Sequence, residues 1–164
     1  MYDFKRTRGE YAPVSLDDIK EWNYIEDKHF DGKLRMCIEA GVANVEAYAN
    51  RIVWPSTFAL SLDHVEYDIP FREYPVTSVA ISVDGTPLDA SLYTYDGNSI
   101  LIDASVKGES MEISVQVGNE EVEGDIKAAI LLVASELFRN PTDSVKQLPT
   151  ASQQILKPYR RTNI

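Results

Sequence analysis

Reactive side chains are scarce in this 164-residue chain, which has one cysteine and two histidines. A single cysteine, Cys37, excludes an internal disulfide, and its place in an amphipathic stretch reads as a small buried hydrophobe rather than a reactive thiol. With only His29 and His64 to serve as bases and no G-x-S-x-G elbow, a nucleophilic triad has almost nothing to be built from. Neither G-x-G-x-x-G nor G-x-x-x-x-G-K occurs, and the glycines stand mostly alone at turns, which speaks against a phosphate-binding loop. No apolar run approaches the roughly 20 residues that cross a bilayer, and the start MYDFKRTRGE has no apolar signal-peptide core. The expectation is a soluble, unexported protein.

Positive charge is also in short supply. There are 16 basic against 26 acidic side chains, a net charge of −10, so the body of the protein should repel nucleic acid rather than wrap it. The basic residues gather at the ends: Lys5, Arg6 and Arg8 near the start, Lys157, Arg160 and Arg161 near the finish. Short basic arms on an acidic body suit docking into an acidic neighbour, and they also suit simple solvated tails. An apolar fraction of 44% with 26% charged residues is that of a folded chain, and the length fits one domain of ordinary size.

The pattern along the chain predicts helices at both ends around a block of strands. Ser15 and Asp18 resemble a capping box ahead of a short helix from about Ser15 to Trp22. After the polar break EDKHFDG, Leu34, Ile38, Val42, Val45, Ala49 and Ile52 recur at helical steps, and the helix stops before Trp54 and Pro55. From Ser56 the period becomes two: Phe58, Leu60 and Leu62, then Val79, Ile81 and Val83, then Met111, Ile113, Val115 and Val117 mark half-buried antiparallel strands. Asp84-Gly85 and Asp96-Gly97 are turn signals that divide Val76–Val83, Leu88–Tyr95 and Ser99–Asp103 into a meander. Val122 to Arg139 reads as a late helix, with Asp125 as its N-cap and Pro141 closing it. Its centre, Ala128 to Ala134, is apolar almost all round and must be covered on more than one side. A turn of helix near Ala151–Leu156 and an extended arm complete the chain. The fold class is α+β, a small helical bundle drawn from both chain ends with a projecting antiparallel β-meander and an extended C-terminal arm. The domain is one, 1–164, comprising a basic N-terminal extension (1–13), helices (14–54), a β-rich block (56–118), a helix (122–140) and the arm (142–164).

Candidate chemistry is thin. Alternate residues of an extended chain share a face, so His64, Glu66 and Asp68 in the run from Asp63 to Asp68 are the best prospect for a metal, but that spacing is easily reached by chance and a solvated polar face leading into the Pro70 turn is the favoured reading. Asp17 and Asp18, and the group Glu120, Glu121 and Glu123, fit the start of a helix. The tyrosines Tyr67, Tyr74, Tyr93 and Tyr95 have acidic neighbours, which fits filling a sheet or a protein interface better than stacking on nucleic acid. The search assigns no catalytic, cofactor or metal residue and favours a structural or binding role.

The ordered segments VSLDDIKEWNYIEDKHFDGKLRMCIEAGVANVEAYANRIVW, YDIPFREYPVTSVAISVDG, VEGDIKAAILLVASELFRNP and ILKPYRR resemble the head-tail connector proteins, also called adaptor or head-completion proteins, of tailed double-stranded DNA phages. The resemblance runs from about Pro13 to Arg161. It implies a virion protein at the head-tail interface, assembled in the host cytoplasm as a ring, commonly of twelve copies, beneath the portal. The expected partners are the portal protein, the next neck or tail protein (a stopper or tail terminator) and copies of itself; genomic DNA passes through without sequence-specific binding, and neither membrane nor enzyme activity is implied. Carried over, Ile155, Leu156, Lys157, Tyr159, Arg160 and Arg161 would face the portal. The meander residues Asp84, Gly85, Tyr93, Tyr95, Asp96, Gly97 and Asn98 would face neighbouring subunits or the tail. The all-round apolar late helix would suit a bundle covered by ring neighbours, the net charge would suit a repulsive bore, and the basic arms would dock on an acidic portal. The N-terminal extension MYDFKRTRGEY and the long strand block depart from the family pattern. A tail-completion or neck protein, a small metal-dependent enzyme using Asp63–Asp68, and an acidic decoy for a DNA-binding protein are the alternatives.

Overall fold

Ser15 opens the first helix as its sequence predicts: its hydroxyl accepts from Asp18 N at 3.1 Å, while Asp18 Oδ2 accepts from Ser15 N at 2.8 Å. The structure, a computed structural model, describes residues 2–140 and 150–161. In chain order its elements are β1 (Lys5–Arg8), α1 (Leu16–Asn23), α2 (Asp31–Ala49), β2 (Ser56–Leu62), β3 (Asp68–Pro70), β4 (Val76–Val83), β5 (Thr86–Pro87), β6 (Tyr93–Tyr95), β7 (Ser99–Ile102), β8 (Met111–Val117), α3 (Gly124–Arg139) and α4 (Thr150–Leu156). The class is α+β with antiparallel sheet, as expected. The chain divides into two compact units, one of strands (Met1–Gly9 with Pro55–Gly118) and one of helices (Glu10–Trp54 with Asn119–Ile164).

In the helical unit, α2 starts at Asp31, earlier than the apolar periodicity suggests. The polar stretch before it is no break, because Asp27 caps a 3-10 turn, Lys28–Phe30, that runs straight into the helix. Leu34, Ile38, Val42 and Val45 face Ile126, Ile130, Val133 and Ala134 in one core with Ile19 and Leu156. Gly41 sits where a Cβ would stand 3.2 Å from the Ile130 carbonyl oxygen, so the absence of a side chain lets α2 and α3 approach closely. Beyond α2, the buried Glu46 carboxylate accepts from Val53 N and Trp54 N, both at 2.9 Å, and fixes the exit of the chain. α3 begins with Glu123 in the cap position and Asp125 within its first turn, so Asp125 is not the N-cap; Pro141, expected to close this helix, lies outside the described residues. The all-round apolar character of α3 is met inside the chain: α1, α2 and α4 all pack against it, so ring neighbours are not needed to explain it.

In the strand unit, β8 is the centre of a sheet ordered β1-β2-β8-β4-β5, and a second sheet runs β3-β7-β6. Phe58 pairs with Val115 and Leu60 with Ile113 on one side of β8, and Ile81 pairs with Ile113 on the other. The alternation read from sequence thus points Met111, Ile113, Val115 and Val117 to one buried face. Both Asp-Gly turns form hairpins, but they belong to different sheets. Leu88–Tyr95 is not one strand: after β5 comes a 3-10 turn, Ala90–Leu92, capped by the Asp89 carboxylate, which redirects the chain into β6. The N-terminal extension also differs from a free basic arm, since Lys5 to Arg8 pair antiparallel with Ala59 to Ser56. There Arg6 Nε donates to Ser56 Oγ at 3.0 Å and its guanidinium lies over the Phe58 ring.

Candidate functional site

The closing segment and the strand-block turns hold the residues that the sequence points to. α4 spans Thr150–Leu156, and instead of an extended arm a 3-10 turn, Lys157–Tyr159, follows it directly. Leu156 is fully buried in the helical core with Ile155 packed beside it, so these two side chains anchor the segment. The backbone is tied down as well: Arg161 N donates to the Ala49 carbonyl at 2.9 Å, at the end of α2, where Asn50 closes the helix in the left-handed conformation.

Around that anchor, cations and rings alternate. The Arg160 guanidinium stands over the Tyr48 ring at 5.5 Å from its centroid, and Arg51 over the Tyr159 ring at 5.9 Å. Arg51 Nη2 lies 3.6 Å from Glu123 Oε1, and the Tyr159 hydroxyl donates to Asp125 Oδ2 at 3.2 Å. Burial first, and then the Asp125 carboxylate, push the Tyr159 phenol above its ordinary pKa, so it stays protonated and able to donate. Lys157 and Arg160 remain exposed at the surface of this cluster. The sequence does not single out Tyr48, Arg51 or Asp125 as partners of the closing segment; the signal available was only that each flanks a helix end.

The strand-block turns are more heavily engaged. Asp84 and Gly85, both at positive φ, make the two-residue turn between Val83 and Thr86. The Asp84 carboxylate reaches across to accept from Ser110 N at 2.9 Å and Glu109 N at 3.0 Å, and those bonds hold its pKa below the usual carboxylate range. Asp96 accepts from Asn98 N and Ser99 N, while Gly97 at φ 99° completes the turn. The Tyr93 hydroxyl donates to the Val79 carbonyl at 3.0 Å and that of Tyr95 to the Phe71 carbonyl at 3.3 Å. Tyr93 therefore joins the two sheets, Tyr95 ties β6 to the chain just beyond β3, and Asp84, Gly85, Asp96 and Asn98 retain exposed surface at the tips.

His64, Glu66 and Asp68, the metal prospect in the sequence, are not on one extended face. β2 ends at Leu62 and the chain bends, leaving His64 Nδ1 2.8 Å from Asp63 Oδ1 and Nε2 3.7 Å from Glu66 Oε2, while Asp68 pairs with Leu101 inside β3. Among the described residues no group of three or more His, Cys, Asp and Glu side chains is placed to hold a metal ion. Cys37 is buried, and its thiol pKa is raised by that burial.

No protein-family model matches the chain, and no curated protein matches it. Solved structures do. Similar in fold are a chain from the neck of an empty gene transfer agent (GTA) particle computed with C6 symmetry, at TM-score 0.70 and 15% identity over 98% of this chain and 97% of that one, and a chain from the virion of a native GTA particle, at TM-score 0.70 and 15% identity over 97% and 96%. A chain from the neck of a native GTA particle computed with C12 symmetry follows at TM-score 0.66 and 16% identity over 98% and 97%. From end to end, then, the chain shares its fold with chains of GTA particle necks.

Proposed function

We propose that the chain is a structural virion protein, an adaptor ring between the capsid portal and the tail that gives DNA its passage and the tail its attachment site. The observation that carries this reading is the end-to-end likeness in fold to chains of GTA particle necks. Neck assemblies computed with C6 and C12 symmetry support a ring, of twelve copies here. The protein acts by binding, without catalysis, at the virion neck after assembly in the host cytoplasm.

In this reading the closing segment faces the portal. Leu156, Ile155 and the Tyr159–Asp125 bond hold it against the helical core, and Lys157, Arg160 and Arg161 offer cations to an acidic portal surface. The turn tips at Asp84–Gly85 and Asp96–Asn98, with Tyr93 and Tyr95 behind them, face neighbouring subunits or the tail side. With a net charge of −10 per subunit, a ring wall that exposes part of that charge inward repels DNA and lets it slide.

The deciding experiment is electron microscopy of lysates from the parent particle with this gene deleted and then restored in trans. DNA-filled or leaking heads beside free, complete tails are expected on deletion. Normal particles, or heads that carry defective tails, overturn the adaptor reading. Restoration with Arg160→Ala/Arg161→Ala should leave heads without tails if the cations dock on the portal, and should rescue fully if they do not.

A further inference from the structure

Between α1 and α3 lies an open groove of about 510 Å³, lined by Val14, Asp18, Glu21, Trp22, Tyr24, Lys127 and Leu131. Two of its aromatics are unusually bare for their size: Trp22 is 44% exposed and Tyr24, held in the left-handed conformation that ends α1, is 95% exposed. Exposed rings beside carboxylates mark a surface prepared for a cation with an apolar stem.

No residue of α2 lines this groove. The outer face of α2 looks elsewhere. Gly41 meets α3, and at about 100° per residue Glu39 and Ala43 lie about 160° around the helix from it, Met36 about 140° and Arg35 about 120°. This half of α2 is exposed, with Met36 at 73%. Arg35 and Glu39 form no ion pair among the described residues, and neither does Lys127 across the unit.

The two faces match in sign and in shape of side chain. One presents Arg35, then Met36, then Glu39; the other presents the Asp18 and Glu21 carboxylates, the Trp22 and Tyr24 rings, and Lys127. We infer that the α1–α3 groove of one copy receives the outer face of α2 from a second copy, with Arg35 meeting Asp18 and Glu21, Met36 resting on the rings, and Glu39 meeting Lys127. A Met sulfur on an aromatic edge and an Arg between a ring and a carboxylate are favourable pairings of this kind. Because the two faces are different surfaces of the same unit, the contact repeats head to tail, the kind of contact that builds a ring when its rotation closes. The inference rests on the adaptor reading and adds to it which surfaces join the subunits.

Cross-linking in assembled particles tests it. In a full-length Cys37→Ala background, which alone should support normal particles, Met36→Cys and Tyr24→Cys are combined and the particles oxidised. A reducible ladder of multiples of the chain is expected, absent from either single-cysteine version. Charge reversal gives a second, independent measurement: Glu21→Arg and Arg35→Glu should each lower incorporation into particles by about tenfold, and the combination should recover most of it. Normal incorporation of both reversals together with no ladder overturns this interface while leaving the adaptor reading intact. Absence of the unaltered protein from particles overturns the adaptor reading and this interface with it.

Discussion

In the helical unit the buried Glu46 carboxylate works from inside, holding the backbone of Val53 and Trp54. In the strand unit the carboxylates work from the surface: Asp84, Asp89, Asp96 and Asp103 each accept hydrogen bonds at a turn that lower their pKa, chiefly from backbone N–H groups at Asp84 and Asp96 and chiefly from the Ser91 and Ser105 hydroxyls, then their N–H groups, at Asp89 and Asp103. Packing therefore dominates the first unit, where α3 is enclosed by three other helices, and ionised turns order the second, whose sheet depends on loops staying in register. The contrast also bears on function. The helical unit carries cations and rings at its surface, Lys157 and Arg160 among them, whereas the strand unit spends many of its polar groups on its own turns.

The sharpest way to test the packing side is to empty it. Ile130 of α3 is fully buried in the helical core, so Ile130→Ala should destabilise the protein by about 2–5 kcal/mol, as a large-to-small change in a tight core does. Both tryptophans, Trp22 and Trp54, belong to the helical unit, so chemical denaturation followed by tryptophan fluorescence reads this directly. A loss below about 1 kcal/mol would mean that the α2–α3 contact is far looser than described.

A smaller loss is expected at Glu46. Glu46→Ala leaves one buried and one half-buried N–H group without their acceptor and should cost about 2–4 kcal/mol, while Glu46→Gln keeps an oxygen in place and should cost about 1 kcal/mol. Equal losses for the two variants in the same fluorescence assay would show that charge, not hydrogen bonding, is what the site requires.

How much of this was legible beforehand differs between the units for the same physical reasons. The helices carry their signals locally: the Ser15 box, the steps from Leu34 to Ala49 and the apolar run of α3 each act within a few turns. The hairpins at Asp84-Gly85 and Asp96-Gly97 are equally local and were readable. What could not be read was long-range. The central place of β8, the pairing of β1 with β2 and the assignment of the hairpins to separate sheets depend on partners far away in the chain, and a period of two names a face without naming a neighbour. At the candidate site, the basic residues of the closing segment were visible, but their anchoring by Tyr48, Arg51 and Asp125 joins three separate elements and left no pattern. The metal prospect failed because its premise, an extended chain from Asp63 to Asp68, gave way to a bend.

The smallest expected effect lies on the electrostatic side, and it appears only in acid. A carboxylate whose folded pKa is lowered contributes stability that is present above its unfolded pKa and is lost as pH falls through the folded value. Asp84 and Asp96 are of this kind, so the strand unit of the unaltered protein should weaken as pH drops below about 4, the ordinary aspartate range. Asn keeps an acceptor oxygen but has no proton to gain. Asp84→Asn and Asp96→Asn should therefore change stability little at pH 7 and flatten its acid decline. Tyrosine fluorescence in a variant lacking both tryptophans would follow the change, since five of the nine tyrosines, Tyr93 and Tyr95 among them, lie in the strand unit. Acid curves that run parallel for the variants and the parent would show that these turns hold equally well without charge, and the contrast between the units would then reduce to packing alone.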